Sequence, residues 1–219
     1  PYIDTVAYYV ADSTDIPARV LNGSVDMQFR HISTDDHKEK FDGNKLIGNY
    51  DYFNAIPTDS NELVIAFNLN HEDKTLRKIF QKKNFRIGMS HAINRKKIID
   101  KVYNGKGIPF QVGPRPESPY YSDKLAKQYT EYNVNLANKY LDSAGYLARD
   151  KDGFRIGDDG EKISLKLQYS DFNPSWTKAL ILIKEDWKQV GIESELILMP
   201  RAQFYELKND NKHDVGVWK

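Results

Sequence analysis

Residues 67–107, FNLNHEDKTLRKIFQKKNFRIGMSHAINRKKIIDKVYNGKG, decide the fold. The segment opens as a strand, turns through a polar loop and continues as two helices closed by a glycine pair. The second helix is punctuated at both ends. Asn94 caps it, because a short side-chain amide accepts the orphan N–H groups of a first turn. Ile98, Ile99 and Val102 recur at helical spacing, and Gly105 falls where a left-handed C-cap belongs. Ahead of it, Phe85, Met89 and Ala92 form another apolar stripe at spacings of four and three.

The same alternation extends in both directions. Upstream, residues 3–10 are rich in β-branched and aromatic side chains and read as a strand. Residues 14–22 read as a short helix, with Pro17 in its first turn and Gly23 closing it. Residues 25–29 read as a strand, 35–46 as a solvated helix plus turn, and 47–57 and 62–69 as two more strands. The apolar run LVIAFNLN predicts burial on both faces. Downstream, four prolines in 108–121 rule out a helix or a central strand. Asn133 caps a helix whose Ala137, Tyr140, Leu141 and Ala144 share one side, with Gly145 after it. Two Asp-Gly pairs in 150–162 predict a small hairpin. Residues 163–169 alternate as a half-buried strand. Asn173 and Pro174 begin a helix lined by Ala179, Leu180, Ile183, Trp187 and Val190, which Gly191 stops. A strand at 192–199, a helix at 201–209 and a strand at 213–218 complete the pattern. The expected fold is α/β: one domain over 1–219, a mixed sheet flanked by helices.

With 219 residues, 40% apolar and 29% charged, the chain has ample length for a buried core. Its formal charge of +1 gives no overall electrostatic footprint for nucleic acid. No apolar run reaches the roughly 20 residues that span a bilayer, and no signal peptide is visible at the start. Cysteine is absent, which excludes disulfides, thiolate metal sites and thiol nucleophiles. Both ends read as strands without a polar tail, so the chain is expected to be a piece of something larger.

Catalytic motifs fail on their own terms. There is no G-x-S-x-G elbow. Gly105 and Gly107 follow a helix rather than a strand, so they make no dinucleotide loop, and no phosphate-binding G-x-x-x-x-G-K-[ST] occurs. Asp150, Asp152 and Gly153 resemble the start of a calcium loop, but Phe154 takes the next ligand place. His71, Glu72 and Asp73 lack the further ligands a metal needs. Glu39 with Asp42, and Glu185 with Asp186, are carboxylate neighbours on helices that face water by pattern. His91, among Met89, Ala92 and Ile93, reads as a packed histidine. No cofactor is implied.

Polar and aromatic residues do gather at strand ends and in the loops after them. The sets are Gln28, Arg30 and His31; Asn68, Asn70 and His71; Asp171, Phe172 and Asn173 with Trp176; Arg201 with Phe204 and Tyr205; and Trp218. Strand ends of an α/β sheet share an edge, so such groups are expected to converge. Ring faces with a few directing amides and charges suit a peptide or a sugar.

Several stretches together resemble one known family. They are RIGMSHAINR at 86–95, Ile98-Ile99 and Val102 to Gly107, with Asn22 to Asp26 and Phe67-Asn68 upstream. Downstream are Pro114 and Pro116, Ala137 to Leu141 with Ala144-Gly145, Trp187 with Gly191-Ile192, and Asp214. In this order they resemble family 5 extracellular solute-binding proteins, the receptors of ABC importers for oligopeptides, dipeptides, nickel and some oligosaccharides. The match covers nearly the whole chain and only the lobe of such a receptor that lies far from its N-terminus.

The resemblance implies a single lobe of a periplasmic-binding-protein-like fold that does no chemistry. It would close on ligand by a hinge together with the missing lobe and deliver a peptide or oligosaccharide to the importer's membrane subunits. The protein would sit in the periplasm or outside the cell, associated with the membrane. The resemblance also implies ligand contacts around His71, at Asp171 to Asn173, and from Lys208 through Trp218. One departure stands out: peptide receptors of the family carry an arginine on the last strand and an aspartate beyond it. Val217 takes the arginine's place here, which keeps oligosaccharide open beside peptide. The first and last strands of such a half-trap are expected side by side on one rim. A small hydrolase using His71, Asp73 or Asp171 as acid–base groups is the competing reading, disfavoured because no nucleophile–base pair can be named. A protein–protein module would instead expose a large apolar patch.

Overall fold

The computed structural model describes residues 2–30, 32, 35–53, 55, 60–170 and 173–219. They group into two compact units, Pro1–Ile56 and Pro57–Lys219, where the sequence reading treats 1–219 as one domain.

In the first unit, α1 (Ile16–Leu21) carries its proline in the first turn, as expected, and α2 spans Asp35–Gly48. Phe41 on α2 is buried, so this helix is not merely solvated. Tyr50 meets Phe41 edge-on at 6.1 Å and donates its hydroxyl to the Phe41 carbonyl at 2.8 Å. Gly23 lies at φ +70° where a Cβ would come within 2.5 Å of the Gly48 carbonyl oxygen, so only glycine allows this approach. The strands expected at 3–10 and 25–29 do not form. β-propensity is largely packing against a neighbouring strand, and Tyr2, Val6, Tyr8, Tyr9 and Val10 stand exposed with none beside them. The expected rim shared by a first and a last strand therefore loses its first member. The strand expected at 47–57 is also absent among the described residues there, since Ile47 and Gly48 end α2; Asn54, Ile56 and Pro57 lie outside the described residues.

The second unit holds the sheet, β1 (Val64–Phe67), β2 (Ser164–Ser170), β3 (Glu193–Met199) and β4 (Val215–Trp218), in the order β1-β4-β2-β3. β2 runs parallel to both β3 and β4, and β1 runs antiparallel to β4, pairing Val64 with Trp218 and Phe67 with Val215. This is the mixed sheet flanked by helices that the sequence implies. The doubly buried strand expected at 62–69 is corrected: β1 lies at the sheet's edge, half-buried, with no strand on its outer side among the described residues.

Three helices follow β1 in place of two: α3 (Lys74–Gln81), α4 (Lys83–Ala92) and α5 (Arg95–Val102). Lys82 takes an extended conformation, φ −68° and ψ 113°, and breaks what reads as one helix. Asp73 caps α3 by accepting from the Thr75 and Leu76 N–H groups, and Asn94 caps α5 as expected. The loop 108–121 is irregular, as its prolines require, and leads into a short unforeseen helix, α6 (Asp123–Lys127). Helices α7 (Val134–Ser143) and α8 (Pro174–Gln189) begin at Asn133 and Asn173, both acting as caps. The 150–162 hairpin reduces to two isolated antiparallel bridges, Arg149 to Arg155 and Ile156 to Lys162. After β3, α9 (Arg201–Asn209) crosses to β4. Phe80, Phe85, Met89, Leu141, Leu167, Leu180, Trp187 and Val217 belong to one buried core within this unit.

Candidate functional site

The antiparallel direction of β1 divides the residues expected to converge. The carboxyl ends of β2, β3 and β4 share one edge of the sheet with the amino end of β1. The loop after β1 leaves from the opposite edge. There, His71 is buried, its Nε2 lies 3.1 Å from Asp214 Oδ1, and its Nδ1 accepts the Asp73 N–H at 2.9 Å. Because Nδ1 accepts, Nε2 carries the proton and donates to the carboxylate. Asp214 Oδ2 also accepts the Lys166 N–H, and Asn68 donates its amide to the Asn211 and His213 carbonyls. His71 and Asn68 thus clasp the β1–α3 loop to the start of β4. Asn70 is exposed beside them, and Lys208 lies exposed in the last turn of α9, seven residues after Arg201.

At the carboxyl edge, Arg201, Trp218 and Trp176 do come together. The Arg201 guanidinium sits 5.4 Å from the Trp218 ring centre and 5.5 Å from that of Tyr205. Trp218 stacks on Phe204 at 5.7 Å and meets Trp176 at 5.9 Å. Trp176 is fully buried and donates its indole N–H to the Glu62 carbonyl, so it braces the edge from inside. Asn173 spends its side-chain oxygen on the α8 cap. Asp171, Phe172 and His31 lie outside the described residues. Gln28 and Arg30 belong to the first unit, where the Gln28 amide donates to the Arg30 carbonyl. Val217 is buried in the core, so its place on β4 offers nothing to a ligand.

A groove of about 950 Å³ opens beside this edge, along β1. One wall is β1 and the residues before it, from Ser60; the other is the proline-rich loop from Lys106 to Glu117. Ile65, Met89, Ile93, Ile98, Ile183 and Trp187 supply apolar lining. The loop is held in place by a chain of hydrogen bonds. Ser60 donates to the Gly113 carbonyl at 2.7 Å, and the Gln111 side-chain amide donates to Ser90 Oγ and to the Gln128 carbonyl. Arg95 ties this node to α4 through the Ser90 carbonyl and hydroxyl, each at 2.8 Å.

The groove is electropositive. Lys83, Arg86, Arg95, Lys106 and Arg115 line it against Glu62 and Glu117. Arg115 and Glu117 pair with each other at 3.3 Å. Among the described residues no carboxylate pairs with Lys83, Arg86 or Arg95. Burial lowers the Arg95 guanidinium to about 10, which leaves it charged at neutral pH. The Tyr103 hydroxyl is raised to about 12 by burial and then by the charge of Glu62, and has no hydrogen-bond partner among the described residues. It therefore keeps its proton and is a donor without an acceptor. Sequence reasoning missed these groups because it searched strand ends, whereas the groove's charges come from α4, α5 and the loop after them. A signal was present: residues 74–106 hold eleven lysines and arginines against one acid, Asp100. The excess was hidden by the near-neutral total.

Among the described residues lining the groove, no nucleophile–base pair is in contact. His91, also buried, is stacked on Tyr140 at 5.7 Å and bonded to the Glu131 carbonyl, a packing role.

Comparison with known proteins agrees with this picture. The sequence model described as bacterial extracellular solute-binding proteins, family 5 Middle, matches residues 1–219. The oligopeptide-binding protein AppA of Bacillus subtilis (strain 168) is 26% identical over 219 residues, covering 98% of this chain and 37% of its own length. A solved oligopeptide-binding protein OppA superposes with a TM-score of 0.76 at 31% identity, over 96% of this chain and 34% of its own. A mannohexaose-bound periplasmic oligopeptide-binding protein of Thermotoga maritima superposes with a TM-score of 0.61 at 25% identity, over 74% of this chain and 30% of its own. The chain thus spans about a third of the length of these relatives, with their periplasmic-binding-protein-like α/β fold. The chain belongs to the bacterial extracellular solute-binding proteins of family 5.

Proposed function

We propose that residues 1–219 supply part of the ligand-binding surface of an extracellular or periplasmic receptor, as one lobe of a two-lobed protein that serves an ABC importer. The groove along the unpaired edge of β1 carries this reading. A strand edge offers regularly spaced N–H and C=O groups to an extended chain, and the apolar lining accepts alternate side chains. Peptide is therefore the favoured solute. The ring faces of Trp218 and Tyr205 beside Arg201 favour an oligosaccharide as the second reading, because sugars stack on such faces. The receptor does no chemistry: the ligand is held between this lobe and the rest of the receptor, which close about a hinge, and the importer's membrane subunits take it from there.

One lobe contributes only part of the contacts, so the 219-residue chain should bind weakly, with a Kd on the order of 1 mM. The test is an amide-shift titration of the labelled chain with penta-alanine and, separately, with mannohexaose. Shifts confined to Val64–Phe67 and 106–113 on adding peptide support the reading. Shifts confined to the Arg201–Trp218 edge on adding sugar favour the second. Silence with both ligands overturns the proposal, and micromolar affinity of the isolated chain would contradict its half-site premise.

A further inference from the structure

We infer that the β1 groove selects anionic peptides, with carboxylate groups of the ligand held by Lys83, Arg86 and Arg95. The inference rests on the peptide reading above and adds a charge class to it.

Three observations concern the same groove. The first is the charge itself: three cationic side chains line one groove without a carboxylate partner among the described residues. Lys83 is exposed, whereas Arg86 and Arg95 are half-buried, where cations are ordinarily paired or bonded because removing a charge from water is costly. Arg95 is partly satisfied by the Ser90 carbonyl and hydroxyl and the Thr130 carbonyl. Arg86 gives one N–H to the Phe80 carbonyl. These are neutral acceptors, and each guanidinium has five N–H donors in a planar fork suited to a carboxylate. The second is Tyr103, whose hydroxyl is buried against the same groove with nothing to accept its proton. An anionic ligand oxygen is the acceptor that such a donor lacks. The third is the local charge: residues 74–106, which include α3 to α5, carry eleven cations and one acid, and of these cations Lys78, Lys82, Lys96 and Lys97 are paired with Asp158, Asp100 and Glu185. A cleft with low-dielectric walls focuses the field of such charge on its own opening.

Among the described residues the acidic groups lining the groove are Glu62 and Glu117, and Glu62's charge reaches Tyr103. Glu117 is already paired with Arg115. Glu62 lies exposed on the strand's lead-in, where its backbone carbonyl serves Trp176. An extended peptide laid along β1 would present alternate side chains to the groove and so could set one acidic side chain, or its terminal carboxylate, against the cations while others enter the apolar lining.

The experiment compares three pentapeptides on the 219-residue chain by amide-shift titration: AEAEA, AAAAA and AKAKA. The expected order of affinity is acidic, neutral, basic, with AEAEA at least about tenfold tighter than AKAKA at low salt. That ratio should shrink severalfold between about 50 and 500 mM salt, as screening requires. The Lys83→Glu variant should lower it as well, and Arg86→Gln gives an independent second reading if the first fails to fold. Equal affinity for all three peptides, or an acidic peptide that shifts amides away from the groove, overturns the charge inference and leaves peptide binding standing. Failure of every peptide to bind overturns the peptide reading, and this inference with it.

Discussion

Arg155 shows how much one side chain can organise. It is 1% exposed, yet it is charged. Its Nε donates to the Val190 carbonyl at 2.8 Å, and its terminal nitrogens reach the Asp142 carboxylate, the Asn138 side chain and the Tyr146 carbonyl. One planar fork therefore ties the 149–156 turn to α7 and to the end of α8. Arg155→Ala removes the fork, takes the donor from the Tyr146 carbonyl (the Val190 carbonyl keeps Arg149) and opens a cavity, so it should cost about 3 kcal/mol in chemical denaturation. Arg155→Lys should recover less than half of that, since an ammonium cannot reach acceptors in so many directions. His213 gives the pH dependence. Burial, with His71 and Lys208 nearby, holds its imidazole below the ordinary histidine value of 6.5, against a smaller opposing effect of Asp214. The unfolded chain then binds the proton more readily than the folded one. Its contribution to stability is present above pH 6.5 and is lost as pH falls through and below that value. Denaturation midpoints should decline from pH 7.5 to 5.5, and His213→Asn should flatten the decline; an unchanged slope would remove His213 as the cause.

Among the elements, α4 and α7 fit closely. A Cβ built on Gly88 would lie 2.8 Å from Leu141 Cγ and 2.9 Å from the Ala137 carbonyl oxygen. Gly88→Ala would gain about 1 kcal/mol of helix propensity. It must also push α7 away, and overpacking costs about 1–3 kcal/mol. The net expectation is a loss of about 1 kcal/mol, read as a lower denaturation midpoint. A midpoint that rises would mean the helices can separate freely. The same elements mark where sequence was readable. Caps at Asn94, Asn133 and Asn173 set the starts of α5, α7 and α8, because capping is a local bond between a side chain and the next turn. The break at Lys82 was not readable, since Lys82 is an ordinary helix former and Phe80 and Phe85 are each buried on opposite sides of it. Strand direction was not readable either. The chain 62–71 says nothing of whether β1 runs with or against β4, and that one sign moved His71 from the expected ligand edge to a buried clasp.

At the scale of the molecule, the two units differ in how well each can support itself. The large buried cluster lies wholly within residues 63–218 and includes two fully buried tryptophans, Trp176 and Trp187. Residues 1–56 bury one large apolar side chain among those described, Phe41. Units of that size are marginal even with a good core, and Tyr2, Ile3, Val6, Tyr8, Tyr9 and Val10 give this one no help because they face solvent. A fragment comprising residues 57–219 should therefore unfold cooperatively, with a calorimetric midpoint within a few degrees of the whole chain. A fragment comprising residues 1–56 should show little ordered structure by circular dichroism. Because the β1 groove is built entirely from residues 60–187, the larger fragment should also keep the peptide-induced shifts of the full chain. If it folds but loses them, the ligand surface must draw on residues 1–56, and the groove would not be the site.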